Sequence, residues 1–155
     1  MVFKPAAVIG VSIAAAAVFV LLMLPFPRFA GERRWTLLVY HAPIAMVFVS
    51  YGFDRLEHRD QLSLWQWGIE ALVVLVSLVR AVASIPYISG HALFLSYVLL
   101  TTPFRLVWWL ALGVFIEVVY LKVFVWHDPT LIGGTLCGIA AGLIVAWGKR
   151  SFGER

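Results

Sequence analysis

The chain of 155 residues carries four histidines and few other ionisable groups. His41, His91 and His127 lie in or beside long apolar runs, as do Arg80, Glu117, Lys122 and Asp128. A charge deep in a bilayer costs several kcal/mol, so ionisable groups inside apolar stretches are candidate functional residues. Two chemistries suit this set. In phosphoryl transfer a neutral imidazole attacks phosphorus and a second imidazole protonates the leaving oxygen. A carboxylate orients the nucleophile, and cations hold the phosphate oxygens. In metal binding, His41, His91 and His127 with Glu117 or Asp128 offer three nitrogens and an oxygen to zinc or iron. No two of the histidines have the four-residue spacing of a helical metal motif, so that reading rests wholly on tertiary proximity.

The elements that must position these groups follow from composition. Hydrophobic residues make up 63% of the chain and charged ones 13%. Soluble domains typically hold about 45–50% and 25%. This excludes a water-soluble fold and a disordered chain, and leaves an all-α integral membrane protein with residues 1–155 in a single transmembrane helical domain. The net charge of +4 is spread along the chain. It offers no basic run to follow a nucleic-acid backbone, so nucleic acid is not an expected partner; the cations suit anionic membrane lipids. The one cysteine, Cys137, cannot close an internal disulfide and reads as a small packing residue. The apolar run over 6–24 exceeds the usual 7–15 residues of a signal-peptide core and is expected to stay as the first helix.

Hydropathy and proline positions predict six spans, at 6–26, 35–53, 65–85, 88–102, 104–126 and 129–147. Five is the alternative, because the fourth stretch gives only about 22 Å of helix against a core of about 30 Å. All seven tryptophans fall near predicted helix ends, where an aromatic belt belongs. Gly134, Gly138 and Gly142 line one face of the last helix. That smooth stripe suits close packing inside the bundle, or else a homodimer or a partner in a membrane complex. Six spans put Lys4, Arg55, Arg59, Arg105, Lys149, Arg150 and Arg155 on one side and Arg28, Arg33, Arg34, Arg80 and Lys122 on the other. The excess of cations places both termini in the cytoplasm. His41, Arg80, Ser84, Ser89, His91, Glu117, Lys122, His127 and Asp128 then gather at the extracytoplasmic face. The mixed charges over 54–60 read as a solvated loop, and Glu70, one turn into the third helix, as a group snorkelling to the interface.

Ser89-Gly90-His91-Ala92, opening a helix, resembles the second motif of the type-2 phosphatidic acid phosphatase superfamily, Pro-Ser-Gly-His. About 30 residues on, 119–123 and His127-Asp128-Pro129-Thr130 lead into a glycine-rich last helix, as the third motif of that superfamily does. The resemblance covers roughly 80–147. The first motif is absent, Ile88 replaces the proline of the second, and Phe124 falls where the third places its nucleophilic histidine. The resemblance implies a divergent, metal-independent lipid-phosphate or lipid-pyrophosphate phosphatase or phosphotransferase that needs no cofactor. His91 is then the general acid and His127, in a shifted loop, the nucleophile. Asp128 or Glu117 orients it, while Arg80, Ser89, Gly90 and Lys122 hold the phosphate of a lipid from the outer leaflet. The alternatives are a non-catalytic lipid-binding relative or small subunit of a membrane complex, and an intramembrane metal protein using His41, His91, His127 and Glu117.

Overall fold

The computed structural model describes residues 5–23, 34–58, 63–82 and 87–151, with the side chains of residues 5, 19, 22, 23, 34–38 and 80–82 outside that description. The chain falls into two compact units, Met1–His58 and Arg59–Arg155. The described residues hold six α-helices and no strand.

In the first unit α1 (Pro5–Met23) packs against α2 (Arg34–Glu57). Val8, Ser12 and Ala16 are buried at four-residue intervals on α1, while Ile9, Val11, Ile13, Val18 and Leu21 stay exposed. A narrow face of small side chains lets the helices approach closely. There the Ser12 hydroxyl donates to Val8 O at 2.7 Å and lies 2.7 Å from Ser50 Oγ. The expected solvated loop over 54–60 needs correction. α2 continues to Glu57, and Asp54 and Arg55 are buried on it. The Arg55 guanidinium lies over the Tyr51 ring, 4.6 Å from its centroid, and 3.9 Å from Asp54 Oδ2.

The second unit consists of α3 (Leu64–Val82), α4 (Gly90–Thr101), α5 (Arg105–Tyr120) and α6 (Thr130–Ser151), with a π-helical turn, Leu121–Val125, closing α5. α4 is the centre of this unit and packs against α3, α5 and, most extensively, α6. Its residues are buried all round: Gly90 and every position from Ala92 to Val98. At about 18 Å, twelve residues do not cross a hydrocarbon core. A helix enclosed by other helices need not do so, because non-helical backbone at membrane depth is tolerated where protein covers it.

The directions of these helices follow from their contacts. The Tyr97 hydroxyl donates to Glu70 at 3.3 Å, and Gly90 lies against the Ser77 backbone, so α3 and α4 are antiparallel. Gly134 lies against Ser89, Gly138 against Leu93 and Ser96, and Gly142 against Leu100, so α4 and α6 run parallel. The glycine stripe is thus filled from within the chain. Of the two uses the stripe suits, packing inside the bundle is the one α4 makes of it. Glu70, expected to snorkel, is buried beside Tyr97.

α4 ends as it does because a neighbouring helix and its own last side chain take up its terminal backbone groups. The Trp108 indole donates to Leu99 O at 3.0 Å and the Thr101 hydroxyl to Tyr97 O at 2.9 Å. Pro103 has no N–H to extend the helix. Two helical stretches among the described residues are long and apolar enough to cross a membrane, Arg105–Val125 and Thr130–Ser151.

Candidate functional site at the start of α4 and α6

Two helix starts meet at one end of the second unit. Ser89, in extended conformation, is the N-cap of α4, and its hydroxyl accepts the Ala92 N–H at 3.4 Å. Its own N–H donates to Thr130 O at 2.9 Å, which ties the start of α4 to the first residue of α6. Ser89 faces Gly134, so α4 begins about one turn, or about 6 Å, inside the level at which α6 begins. Both glycines are required by packing. A Cβ on Gly90 would lie 2.6 Å from Ser77 O, and one on Gly134 would overlap the Ser89 carbonyl oxygen.

Lys122 reaches this place through the π-helical turn. An i to i+5 turn shifts the side chains that follow it, and such turns are frequent at functional sites. Lys122 is buried. Its ammonium donates to Asp128 Oδ2 and, at 3.3 Å, to the Thr130 hydroxyl, while Asp128 Oδ1 accepts the Thr130 N–H at 2.9 Å. Asp128 is therefore the cap of α6. Burial pushes its carboxyl up, but bonds from the Lys122 ammonium and from the Thr130 hydroxyl and N–H, with the Lys122 charge, outweigh this and hold it at about 2.

His91 is half-buried in the first turn of α4, and His127 is exposed. His127 has φ 49° and Tyr87 φ 71°. These are the two non-glycine residues in left-handed backbone among the described residues, and one immediately precedes Asp128 while the other stands two residues before Ser89. Strained backbone of this kind concentrates at functional sites.

The structure thus brings Ser89, Gly90, Lys122, Asp128 and Thr130 together, with His91 and His127 adjacent in sequence to members of the group. Glu117 is half-buried on α5, more than one turn before Lys122, and Lys122 pairs with Asp128 instead. Arg80 lies on α3 one turn beyond Ser77, toward this end; its side chain, and the whole of Ser84, are outside the described residues. His41 lies on α2 in the first unit. No three His, Cys, Asp or Glu residues among those described converge on a common point as metal ligands would, so the described geometry does not assemble the metal set.

Sequence reading passed over Thr130 as a site residue, and over Ser77 as the backbone on which Gly90 packs. Nothing in an isolated hydroxyl in an apolar helix marks it, whereas Thr130, directly after Asp128-Pro129, stands where a helix start is legible. No family model, curated protein or solved structure matches the chain.

Proposed function

We propose that this is an integral membrane protein of about six spans that binds the phosphate of a lipid head group, without metal or cofactor, at the start of α4. The two membrane-length stretches and the overall composition support the membrane assignment. The loop cations support cytoplasmic termini and an extracytoplasmic site.

One observation carries the binding reading. The two neighbouring helix starts are capped differently. A carboxylate, Asp128, fills the start of α6 and is neutralised by Lys122. The start of α4 has only a neutral serine cap and no acidic residue in its first turn. The positive end of a helix with unspent N–H groups attracts an oxyanion, and this one stands beside a buried ammonium. Recessed by one turn from the start of α6, it is at a depth suited to a head group. The pairing of Asp128 also argues for binding over turnover, since both its oxygens are engaged away from His127.

Hydrolysis is the second reading, favoured by the exposed His127 held in strained backbone beside the cap. Purified protein titrated with short-chain phosphatidate and with the matching diacylglycerol tests binding. Saturable binding of the phosphatidate alone is expected, and equal binding of both lipids would defeat the proposal. Phosphate release in the same samples, with chelator and beside His127→Ala, tests hydrolysis. Release by the wild type alone, unaffected by chelator, would convert the binder into an enzyme with His127 as nucleophile and His91 as acid. Topology is tested by replacing the exposed Cys137 with alanine and introducing single cysteines at Tyr87, Thr130 and Ser63. The first two should react from outside the cell and the third from within.

A further inference from the structure

Two helices of the second unit begin directly after a serine, and the two serines behave differently. Ser89 caps α4 by accepting the Ala92 N–H, three residues on. Ser63 stands in the same place before α3, with Gln66 three residues on. That is the spacing of a reciprocal cap, in which each side chain takes the other's backbone N–H. Only half of it is made. Gln66 Oε1 accepts the Ser63 N–H at 3.1 Å, but Ser63 Oγ is buried with no hydrogen-bond partner, so it does not take the Gln66 N–H. That N–H, in the first turn, has no acceptor within the helix either. The Gln66 side chain is fully buried, and its Nε2 also lacks a partner. The bond from Ser63 fixes where this Nε2 lies. It shares a carbon with Oε1, so it is held at the start of α3.

A buried donor left unsatisfied is costly, and three gather here: Gln66 Nε2, the Gln66 N–H and the Ser63 hydroxyl. What surrounds them suits an anion. The first turn of α3 holds no acidic residue, and the amino end of a helix carries partial positive charge. Lys149 and Arg150, in the last turn of α6, directly follow Gly148, which packs so closely on the Trp65 ring that a Cβ would overlap it. Glu70, one turn deeper on the buried face of α3, is engaged by the Tyr97 hydroxyl. Leu64, the first residue of α3, is 90% exposed, so the helix start reaches the surface even though Gln66 does not. We infer that the start of α3 is an oxyanion site that takes a phosphate group, bound by Ser63 and Gln66 with the α6 cations close by. Because α3 runs against α4 and α6, this site lies at the opposite end of the unit from Lys122 and does not rest on the head-group reading. The loop cations that assign the two sides put it at the cytoplasmic face, where an inner-leaflet phospholipid or free phosphate supplies the group.

The chain's two glutamines, Gln61 and Gln66, make the test direct. With the glutamine side-chain amides isotope-labelled, NMR shows each of them, and Gln66→Met assigns the Gln66 signals by their loss. The wild type is titrated in phosphate-free detergent with dioctanoyl phosphatidate, dioctanoylglycerol and inorganic phosphate. The Gln66 signals should move saturably with phosphatidate and stay in place with the diacylglycerol. Ser63→Ala should weaken that binding about tenfold, the effect of one hydrogen bond to a charged oxygen. Its melting temperature without ligand should equal that of wild type, because the hydroxyl it removes caps nothing. Saturable movement with inorganic phosphate at equal or higher affinity keeps the site and moves the source from a lipid to the free ion. Equal movement with the diacylglycerol, or none with either phosphate compound, overturns the inference. Unchanged affinity in Ser63→Ala, whatever its melting temperature, overturns it too. Movement that Lys122→Met abolishes and Ser63→Ala leaves intact is transmitted from the other end of the unit; it overturns the inference while the head-group reading there stands.

Discussion

α4 and α6 run in the same direction side by side, yet they solve opposite problems. α6 has 22 residues and buries one glycine-lined face, leaving Ile132, Leu136, Leu143 and Trp147 between 58% and 67% exposed. α4 has 12 residues and buries every side. A long helix with apolar flanks can end where water or head groups satisfy its last turns. A short helix inside a bundle cannot, so its terminal groups need partners from its neighbours. Trp108 and Thr130 are such partners. The difference teaches where to look for function. At the carboxyl end of α4 bonds meet three successive carbonyls, those of Tyr97, Val98 and Leu99, whereas its amino end is capped by the neutral hydroxyl of Ser89.

The seam between the two helices gives the largest expected effect. Valine at Gly134 must displace the Ser89 backbone itself, which cannot swing aside as the end of a side chain would. Overpacking of this kind typically costs 1–3 kcal/mol and more where backbone blocks it, so Gly134→Val should lower stability by about 3 kcal/mol. Leu136→Ala, on the 61% exposed side of α6, should change it by no more than about 0.5 kcal/mol. Thermal unfolding in detergent compares them. Equal stability of the two variants would mean that α4 does not hold the glycine face, and would return that face to a second copy of the chain.

Next in size is the cap of α6. Lys122→Met leaves the partly buried Asp128 carboxylate without its cation and should cost about 1–3 kcal/mol. Asp128→Asn keeps an acceptor for the Thr130 N–H and should cost less. The double variant should recover part of the loss, a coupling that a mutant cycle measures. The pH dependence has a definite sign. The folded carboxyl is held at about 2, below its ordinary 3.8, so its contribution is complete above about 4 and is lost as pH falls through about 2. Wild type should lose stability in that window by more than Asp128→Asn does. Parallel pH profiles for the two would show that the Lys122 pair adds nothing to the cap.

These cases show what was legible in the sequence. All six helices were, to within a few residues, because length, apolar runs and the prolines at positions 86, 103 and 129 mark them. The pairing of the glycine face with a helix was legible in its spacing, though not which helix would fill it. The Lys122–Asp128 pair was hidden by the π-helical turn, which changes the register that a 3.6-residue repeat assumes. Asp54, Arg55 and Glu70 were read as solvated or interfacial. Burial depends on neighbours distant in sequence, and α2 runs one turn past its predicted end. Ser77 gave no signal, since the lack of a partner for its buried hydroxyl shows only once the helices are packed.

The smallest effect is the most diagnostic for His127. A side chain in left-handed backbone costs about 1 kcal/mol relative to glycine, and less for histidine than for branched residues. His127→Gly should therefore stabilise the protein by up to about 1 kcal/mol, and His127→Val should destabilise it. A residue kept for structure at φ 49° would gain nothing from being histidine, so a stabilising glycine would mark the imidazole as retained for something other than the fold. If His127→Gly is instead less stable than wild type, the imidazole makes a bond that the loop needs. The contrast between a satisfied α6 start and an open α4 start would then owe part of its origin to this side chain, and the hydrolase reading would lose its main support.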